Sequence, residues 1–164
     1  MDDLTETLLS SSLSIGKILT PVDGSSASVK ALQYATSLTE LLSGDAELIV
    51  MHVLDDIKQG GAIGAQAKYG NTRLVEGFKR SRRKAAMQWL KQVEEAANKK
   101  RINLKIEIID GGSKVDAILD YAEKNSVDLI VMGTRGITGF KRILVGSVAS
   151  AVVASAPCPV MVVR

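Results

Sequence analysis

Short apolar segments alternate with amphipathic ones along this chain, and the alternation restricts the fold more than any other feature. Nearly continuous apolar runs at residues 47–53 and 129–132 are typical of strands buried on both faces of a parallel sheet. The segments between them carry apolar residues at three- and four-residue spacing, as helices packed on a sheet do. Because parallel strands need crossover connections, the pattern predicts a single doubly wound five-stranded parallel sheet of the α/β class. We expect the strand order 3-2-1-4-5, with helices on both faces.

Five strands and four helices are predicted. The strands are placed at residues 17–23, 47–53, 104–108, 129–132 and 160–163. The third, in which apolar and charged residues alternate, is expected at an edge of the sheet. One helix begins after Ser25 and ends at Gly44, the next spans residues 72–100, and another follows Gly111 and Gly112. The last helix is indicated by Val148, Ala149, Val152, Val153 and Ala156, and it is expected to end before Pro157. Residues 55–70, rich in glycine and without periodicity, are predicted to form a long functional loop that could act as a lid.

Composition narrows the protein class. A length of 164 residues with 46% hydrophobic content fits one domain, assigned to residues 17–164 after an N-terminal tail of residues 1–16. The one cysteine, Cys158, rules out an internal disulfide and requires no oxidising compartment. The tail lacks the basic flank and apolar run of a secretion signal, and no uninterrupted apolar run is long enough to span a membrane. We therefore expect a cytoplasmic protein without a membrane partner.

A glycine motif follows the fourth predicted strand. Gly133-Thr134-Arg135-Gly136 is separated by nine residues from Gly146-Ser147, which gives the pattern G-x2-G-x9-G-S. Glycines allow positive φ angles and close approach of the backbone to a ligand, so successive N–H groups can face one concavity. The start of the last helix adds unpaired donors and the positive end of its dipole. The motif therefore predicts a phosphate site, although turns and a helix cap would explain the same glycines.

Several motifs together resemble those of the universal stress protein family. They are Pro21-Val22-Asp23-Gly24-Ser25, His52-Val53, Met132-Gly133-Thr134-Arg135-Gly136, Gly146-Ser147 and the closing Pro157-Cys158-Pro159-Val160. The resemblance covers residues 17–164, and the complete glycine motif is similar to that of the ATP-binding branch of this family.

The resemblance implies an ATP site, and it assigns a role to each matching residue. Asp23 would contact the nucleoside, Pro21 would belong to the same end of the site, and Val22 and Val53 would line the base pocket through backbone or side chain. Met132 would pack beside the ribose. The residues expected around the phosphates are Gly133, Arg135, Gly136, Gly146, Ser147 and Val148. Phosphate chemistry makes Mg2+ a candidate companion of the ATP.

Each of these assignments has a simpler alternative. Asp23 could help to cap the first helix, since aspartate favours helix starts. His52, the one histidine, is expected to be a packed, hydrogen-bonded residue rather than a ligand or a base. Met132 could be ordinary core filling.

Catalytic motifs do not stand out. A single histidine does not support a Ser-His-Asp triad, and the phosphate-loop pattern G-x4-G-K-[ST] is missing. The His-x-Gly-His of related nucleotidyltransferases and the Ser-Gly-Gly-x-Asp-Ser of pyrophosphatase-type enzymes are missing as well. We favour an ATP-dependent sensor or switch that acts on an unknown protein partner. Slow ATP hydrolysis or autophosphorylation is the alternative, and no catalytic residue is assigned.

Nucleic-acid binding is a further alternative because of the basic run at residues 79–84. A solvated helix face is the favoured interpretation, since Glu94 and Glu95 follow on the same helix.

The last strand, residues 160–163, is apolar throughout and is expected at a sheet edge. An uncovered apolar edge favours aggregation, so we expect a homodimer in which two copies of this strand pair. Cys158, close to that edge, is assigned no redox role.

Overall fold

The computed structural model describes residues 14–42, 46–54, 72–134 and 146–164. Within these residues, strands and helices alternate along the chain, as predicted. The strands are β1 (Lys17–Pro21), β2 (Glu47–Leu54), β3 (Leu104–Asp110), β4 (Leu129–Gly133) and β5 (Val160–Val163). The helices are α1 (Ser26–Leu41), α2 (Thr72–Lys99), α3 (Lys114–Lys124) and α4 (Ser147–Ser155).

All strand pairs of the sheet are parallel, and the order is β3-β2-β1-β4-β5. This confirms the predicted fold class and places β3 and β5 at the two edges. The chain builds outward from β1 through β2 to β3, and then returns to the other side of β1 with β4 and β5. The winding direction therefore reverses between β1 and β4, and a crevice beyond their carboxyl ends is where open sheets of this kind bind ligands.

Two apolar clusters form the core, one on each face of the sheet. On one face, Ile18 and Val50 pack with Ala31 of α1 and Leu90 of α2. On the other face, Leu19 and Met51 pack with Ile118 of α3 and Val152 of α4. Neighbouring strand residues fall into opposite clusters because side chains alternate along a strand. The sheet is thus covered by one pair of helices on each side.

Element ends differ from the sequence prediction by one or two residues at several points. β1 ends at Pro21, two residues before the predicted end, although the Val22 amide beyond it still donates to the Met51 carbonyl. α1 ends at Leu41, and the predicted stop, Gly44, lies outside the described residues. Val153 of α4 is 52% exposed. α4 has nine residues, and its buried residues are Ala149 and Val152, so the next position turns away from the sheet.

The edge strand β3 carries a polar cluster rather than an apolar surface. Lys105 Nζ lies 3.0 Å from Glu107 Oε1 and 3.1 Å from Tyr121 Oη of α3. The bond to Glu107 is the main cause that raises the pKa of Lys105, and the bond to Tyr121 adds to it. Charges of this kind on an edge strand discourage pairing with another sheet.

No helix in the described part of the chain combines the length and the apolarity needed to cross a bilayer.

Candidate functional site

The turn after β1 is a compact hydrogen-bonded structure that begins α1. Ser25 is the N-cap, and its Oγ accepts a hydrogen bond from the Ser28 amide at 3.2 Å. Asp23 Oδ1 accepts from the Ser25 amide at 3.0 Å, and the Asp23 amide donates to Ser28 Oγ at 3.3 Å. Gly24 adopts a φ of 81°, which a residue with a side chain rarely takes. Asp23 therefore supports the helix start indirectly, through the amide of the N-cap residue, and the same bond fixes its carboxylate at the carboxyl end of β1.

Val22 precedes this turn, and both its amide and its carbonyl form hydrogen bonds to residues of β2. Its amide donates to the Met51 carbonyl at 2.7 Å, and its carbonyl lies 2.8 Å from His52 Nδ1. His52 is thus a hydrogen-bonded, half-buried residue, as the sequence analysis favoured.

Gly133, at the end of β4, lies directly against the first turn of α1. A Cβ at this position would come within 2.7 Å of the Ala27 carbonyl carbon and 2.9 Å of the Ser28 amide nitrogen. Real Cβ atoms are essentially never that close to backbone, so only glycine permits this approach of strand and helix. The contact brings the end of β4 next to the turn that carries Asp23.

Thr134 connects the two halves of the glycine motif. Its amide donates to the Val163 carbonyl of β5 at 2.8 Å, and its carbonyl accepts from the Gly146 amide at 2.6 Å. The chain therefore leaves the carboxyl edge of the sheet at Thr134 and returns to the same place at Gly146. The remaining motif residues, Arg135 and Gly136, lie outside the described residues.

The start of α4 is open in the sense that its N-cap residue offers no side-chain acceptor, in contrast to the starts of α1 and α3. Gly146 is its N-cap and makes no side-chain cap hydrogen bond, whereas Ser25 caps α1 and Ser113 caps α3. The first amides of a helix have no acceptor inside the helix, and they form the positive end of its dipole. The Gly146 amide itself is already bonded to Thr134, so the donors that α4 can offer come from its first turn, which begins at Ser147. Ser147 is exposed and Val148 is half-buried.

The three apolar residues predicted to line the site have buried side chains. Val22 is 4% exposed, Met132 5% and Val53 8%. Val22 belongs to the cluster under α1 and α2, whereas Val53 and Met132 belong to the cluster under α3 and α4. The side chains of Val22 and Val53 are therefore part of the core. Pro21, the last residue of β1, is half-buried beside them.

Thr134 is the site residue that sequence reasoning missed. It is 7% exposed, and its backbone bridges β5 and the start of α4. The available signal was its position, a polar residue directly after a buried strand. Because its hydrogen bonds join segments that are distant in the chain, no local pattern specifies them.

The sequence model of the universal stress protein family matches residues 14–164. The chain belongs to this family. Universal stress protein MJ0531 of Methanocaldococcus jannaschii is 36% identical over 148 residues, which cover 90% of this chain and 81% of that protein. Among solved universal stress proteins, the UspA protein of Lactobacillus plantarum superposes with a TM-score of 0.71 at 33% identity, covering 92% of this chain and 98% of that one. The MJ0577 structure superposes with a TM-score of 0.76 at 28% identity, covering 91% and 95%.

Two more distant universal stress protein structures contain nucleotides. One, from Arabidopsis thaliana, has AMP bound and superposes with a TM-score of 0.60 at 17% identity, covering 90% of each chain. Another is a complex with cAMP, with a TM-score of 0.58 at 20% identity, covering 92% of this chain and 97% of that one. At these identities the likeness shows a shared fold.

Proposed function

We propose that this universal stress protein binds an adenine nucleotide, ATP, at the carboxyl edge where β1 and β4 part, and acts as a nucleotide-dependent sensor or switch. The observation that carries the proposal is the open start of α4, which has no side-chain cap and is bonded to Thr134 at that edge. A site for an anion at this place agrees with the position at which doubly wound sheets bind nucleotides.

The phosphates would lie at the first turn of α4. A helix start attracts an anionic group by about 0.3–1 kcal/mol, whereas micromolar binding needs about 8 kcal/mol. The helix start alone is therefore insufficient, and the nucleoside must supply most of the binding free energy. We assign that part to the ends of β1 and β2, where Asp23 and the backbone of Val22 and Val53 lie.

The two nucleotide-bearing relatives support the ligand class. AMP and cAMP share the adenosine moiety, and both are bound by proteins of this fold. The choice of ATP rests on the G-x2-G-x9-G-S pattern. Mg2+ is proposed as a companion of the phosphates, because it binds polyphosphate oxygens together with few protein ligands.

ATP binding is tested by calorimetry and by mass analysis of any nucleotide released from the purified protein. Gly146→Val should lower ATP affinity at least about tenfold, because a branched side chain at the entrance of α4 obstructs the approach of phosphate. The fold should persist, since the φ of −68° and ψ of 160° at Gly146 are open to valine. Ser113→Ala, at the start of α3, is the matched control and should bind ATP like the unchanged protein. Equal affinity in the Gly146→Val protein would contradict the site.

Slow hydrolysis or autophosphorylation is the alternative for the same site. Release of phosphate from radiolabelled ATP, or label retained on the protein, distinguishes a slow enzyme from a sensor. A turnover that Gly146→Val abolishes would favour the enzyme.

The basic run at residues 79–84 is only partly available for nucleic acid. Arg83 forms an ion pair with Asp110, and the Arg82 guanidinium lies 6.0 Å from the centroid of the Phe78 ring. These contacts favour a solvated helix face. DNA affinity that depends on salt and disappears on neutralising Lys79, Arg80 and Lys84 would favour the alternative.

We also propose a homodimer through Val160–Val163. β5 lies at the edge of the sheet, and Met161 is 37% exposed on it. Sedimentation of the wild-type protein at micromolar concentration should give the mass of a dimer. The Met161→Lys variant should sediment as a monomer. A monomeric unchanged protein would exclude this assembly.

A further inference from the structure

The ladder between β1 and β2 ends in an unusual way. Its last register pair is Pro21 with Met51, and the Val22 amide continues the pattern by bonding the Met51 carbonyl. In a continued parallel ladder, the Val22 carbonyl would accept from the amide of Val53. That carbonyl is instead 2.8 Å from Nδ1 of His52. A side chain of β2 thus takes the place of the next backbone bond.

The backbone of Val53 is directed toward the space that β1 vacates. Successive residues of a strand address opposite neighbours, and the Met51 carbonyl is bonded on the β1 side. The Leu54 carbonyl accepts from Gly111, on the β3 side. Val53, two residues after Met51, therefore faces the β1 side at the carboxyl edge, where the nucleoside is proposed to bind.

The hydrogen bond also determines where the imidazole carries its proton. A carbonyl oxygen can only accept, so Nδ1 must donate, and the neutral ring then has an acceptor at Nε2. Val22 is 4% exposed and His52 is half-buried, so the bond is shielded from competing water. The ring is a short, rigid link between β2 and the peptide that precedes Asp23.

We propose that His52 is a positioning residue of the nucleotide site. It holds the Val22–Asp23 peptide in place and ends the ladder early, so that the Val53 amide stays available to the ligand. This inference rests on the proposed function. It assigns to the imidazole a hydrogen-bonding role that a side chain of the same size without a donor could not fill.

Three substitutions separate positioning from packing. His52→Phe keeps a ring but removes the donor, and ATP affinity should fall about tenfold, the effect of one shielded hydrogen bond. His52→Asn places an amide nitrogen near the Nδ1 position and should restore affinity to within about twofold. His52→Gln, whose amide reaches the Nε2 position, should behave like His52→Phe. Calorimetry well below the unfolding midpoint measures these affinities for folded protein, so a loss of stability alone would leave them unchanged.

The outcomes distinguish this inference from the proposed function. If the unchanged protein takes up no ATP, both are wrong. If it binds ATP and His52→Phe binds equally well, only the role of His52 is wrong. Should His52→Phe fail to fold, the ¹⁵N resonances of the one imidazole in the unchanged protein provide the test. A ring protonated at Nδ1, with and without ATP, supports the inference, and a ring protonated only at Nε2 overturns it.

Discussion

The starts of α1 and α4 flank the place where the winding direction of the sheet reverses. They differ in whether the N-cap residue has a side-chain oxygen. Both N-caps have nearly the same backbone conformation, with φ −70° and ψ 156° at Ser25 and φ −68° and ψ 160° at Gly146. Ser25 supplies a side-chain oxygen to the Ser28 amide, whereas Gly146 supplies none. Glycine is therefore not required at 146 for its conformational freedom. Its effect is that the N-cap residue itself offers no side-chain acceptor to the first turn of α4.

Gly133 and Gly146 serve the glycine motif through the space they leave rather than through positive φ angles. Positive φ was one of the two reasons for expecting glycines there, but the described glycines with positive φ are Gly24, Gly111 and Gly112, all in turns. Gly133 and Gly146 provide space instead, the first for a helix and the second at a helix entrance. One motif thus contains a packing glycine and a proposed ligand glycine.

The largest effect on stability is expected where the end of β4 contacts the first turn of α1. Gly133→Ala should destabilise the protein by about 3 kcal/mol, because the added Cβ collides with the backbone of Ala27 and the first turn of α1 must move. Urea unfolding measures the change. Gly77→Ala is the matched control: a Cβ there meets nothing within 4 Å, and alanine should stabilise α2 by about 1 kcal/mol. A Gly133→Ala protein as stable as the unchanged one would mean that the contact is not needed.

A second effect concerns Thr20 of β1, which is fully buried. Among the described residues, its Oγ1 is the buried side-chain polar atom without a hydrogen-bond partner. Thr20→Val removes that hydroxyl at nearly constant shape and should stabilise the protein by about 2 kcal/mol. Thr39 of α1 is equally buried, but its Oγ1 donates to the Ala35 carbonyl at 2.9 Å. Thr39→Val should not stabilise, and equal changes in both proteins would show that the unpaired hydroxyl at Thr20 carries no penalty.

The helix caps give a third, smaller effect. Ser25→Ala and Ser113→Ala each remove an N-cap and should lower the free energy of unfolding by about 1 kcal/mol. Only Ser25 lies in the turn with Asp23, so Ser25→Ala should also weaken ATP binding while Ser113→Ala should not. Thermal unfolding and calorimetry on the same samples measure both quantities. A loss of ATP affinity in both proteins would argue that the caps act through overall stability.

The sequence predicted the strands, the helices and the Ser25 cap, because each depends on a period or a local motif. The order of the strands was predicted from the rules for doubly wound sheets rather than from any local pattern. It could not predict the contact of Gly133 with Ala27 or the bond of His52 to Val22, because these join residues far apart in the chain. The site residues show the same difference between local patterns and long-range contacts. Gly146 was identified from spacing, but the bond of its amide to Thr134 depends on where the sheet ends.

Gly146→Ser has the smallest effect on stability and tests the comparison most directly. A serine at this N-cap can accept from a first-turn amide, as Ser25 does, and should stabilise the nucleotide-free protein by a few tenths of a kcal/mol, about the difference between glycine and serine caps.

The same hydroxyl would compete with phosphate for that amide, so ATP should raise the unfolding temperature less than in the unchanged protein. Gly146→Ala is the control for bulk, since its methyl group fits the same φ and ψ but accepts no hydrogen bond. If Gly146→Ser is more stable yet binds ATP as tightly as before, the open start of α4 is not the phosphate site. If the alanine protein loses as much affinity as the serine protein, the site needs the space rather than the donor.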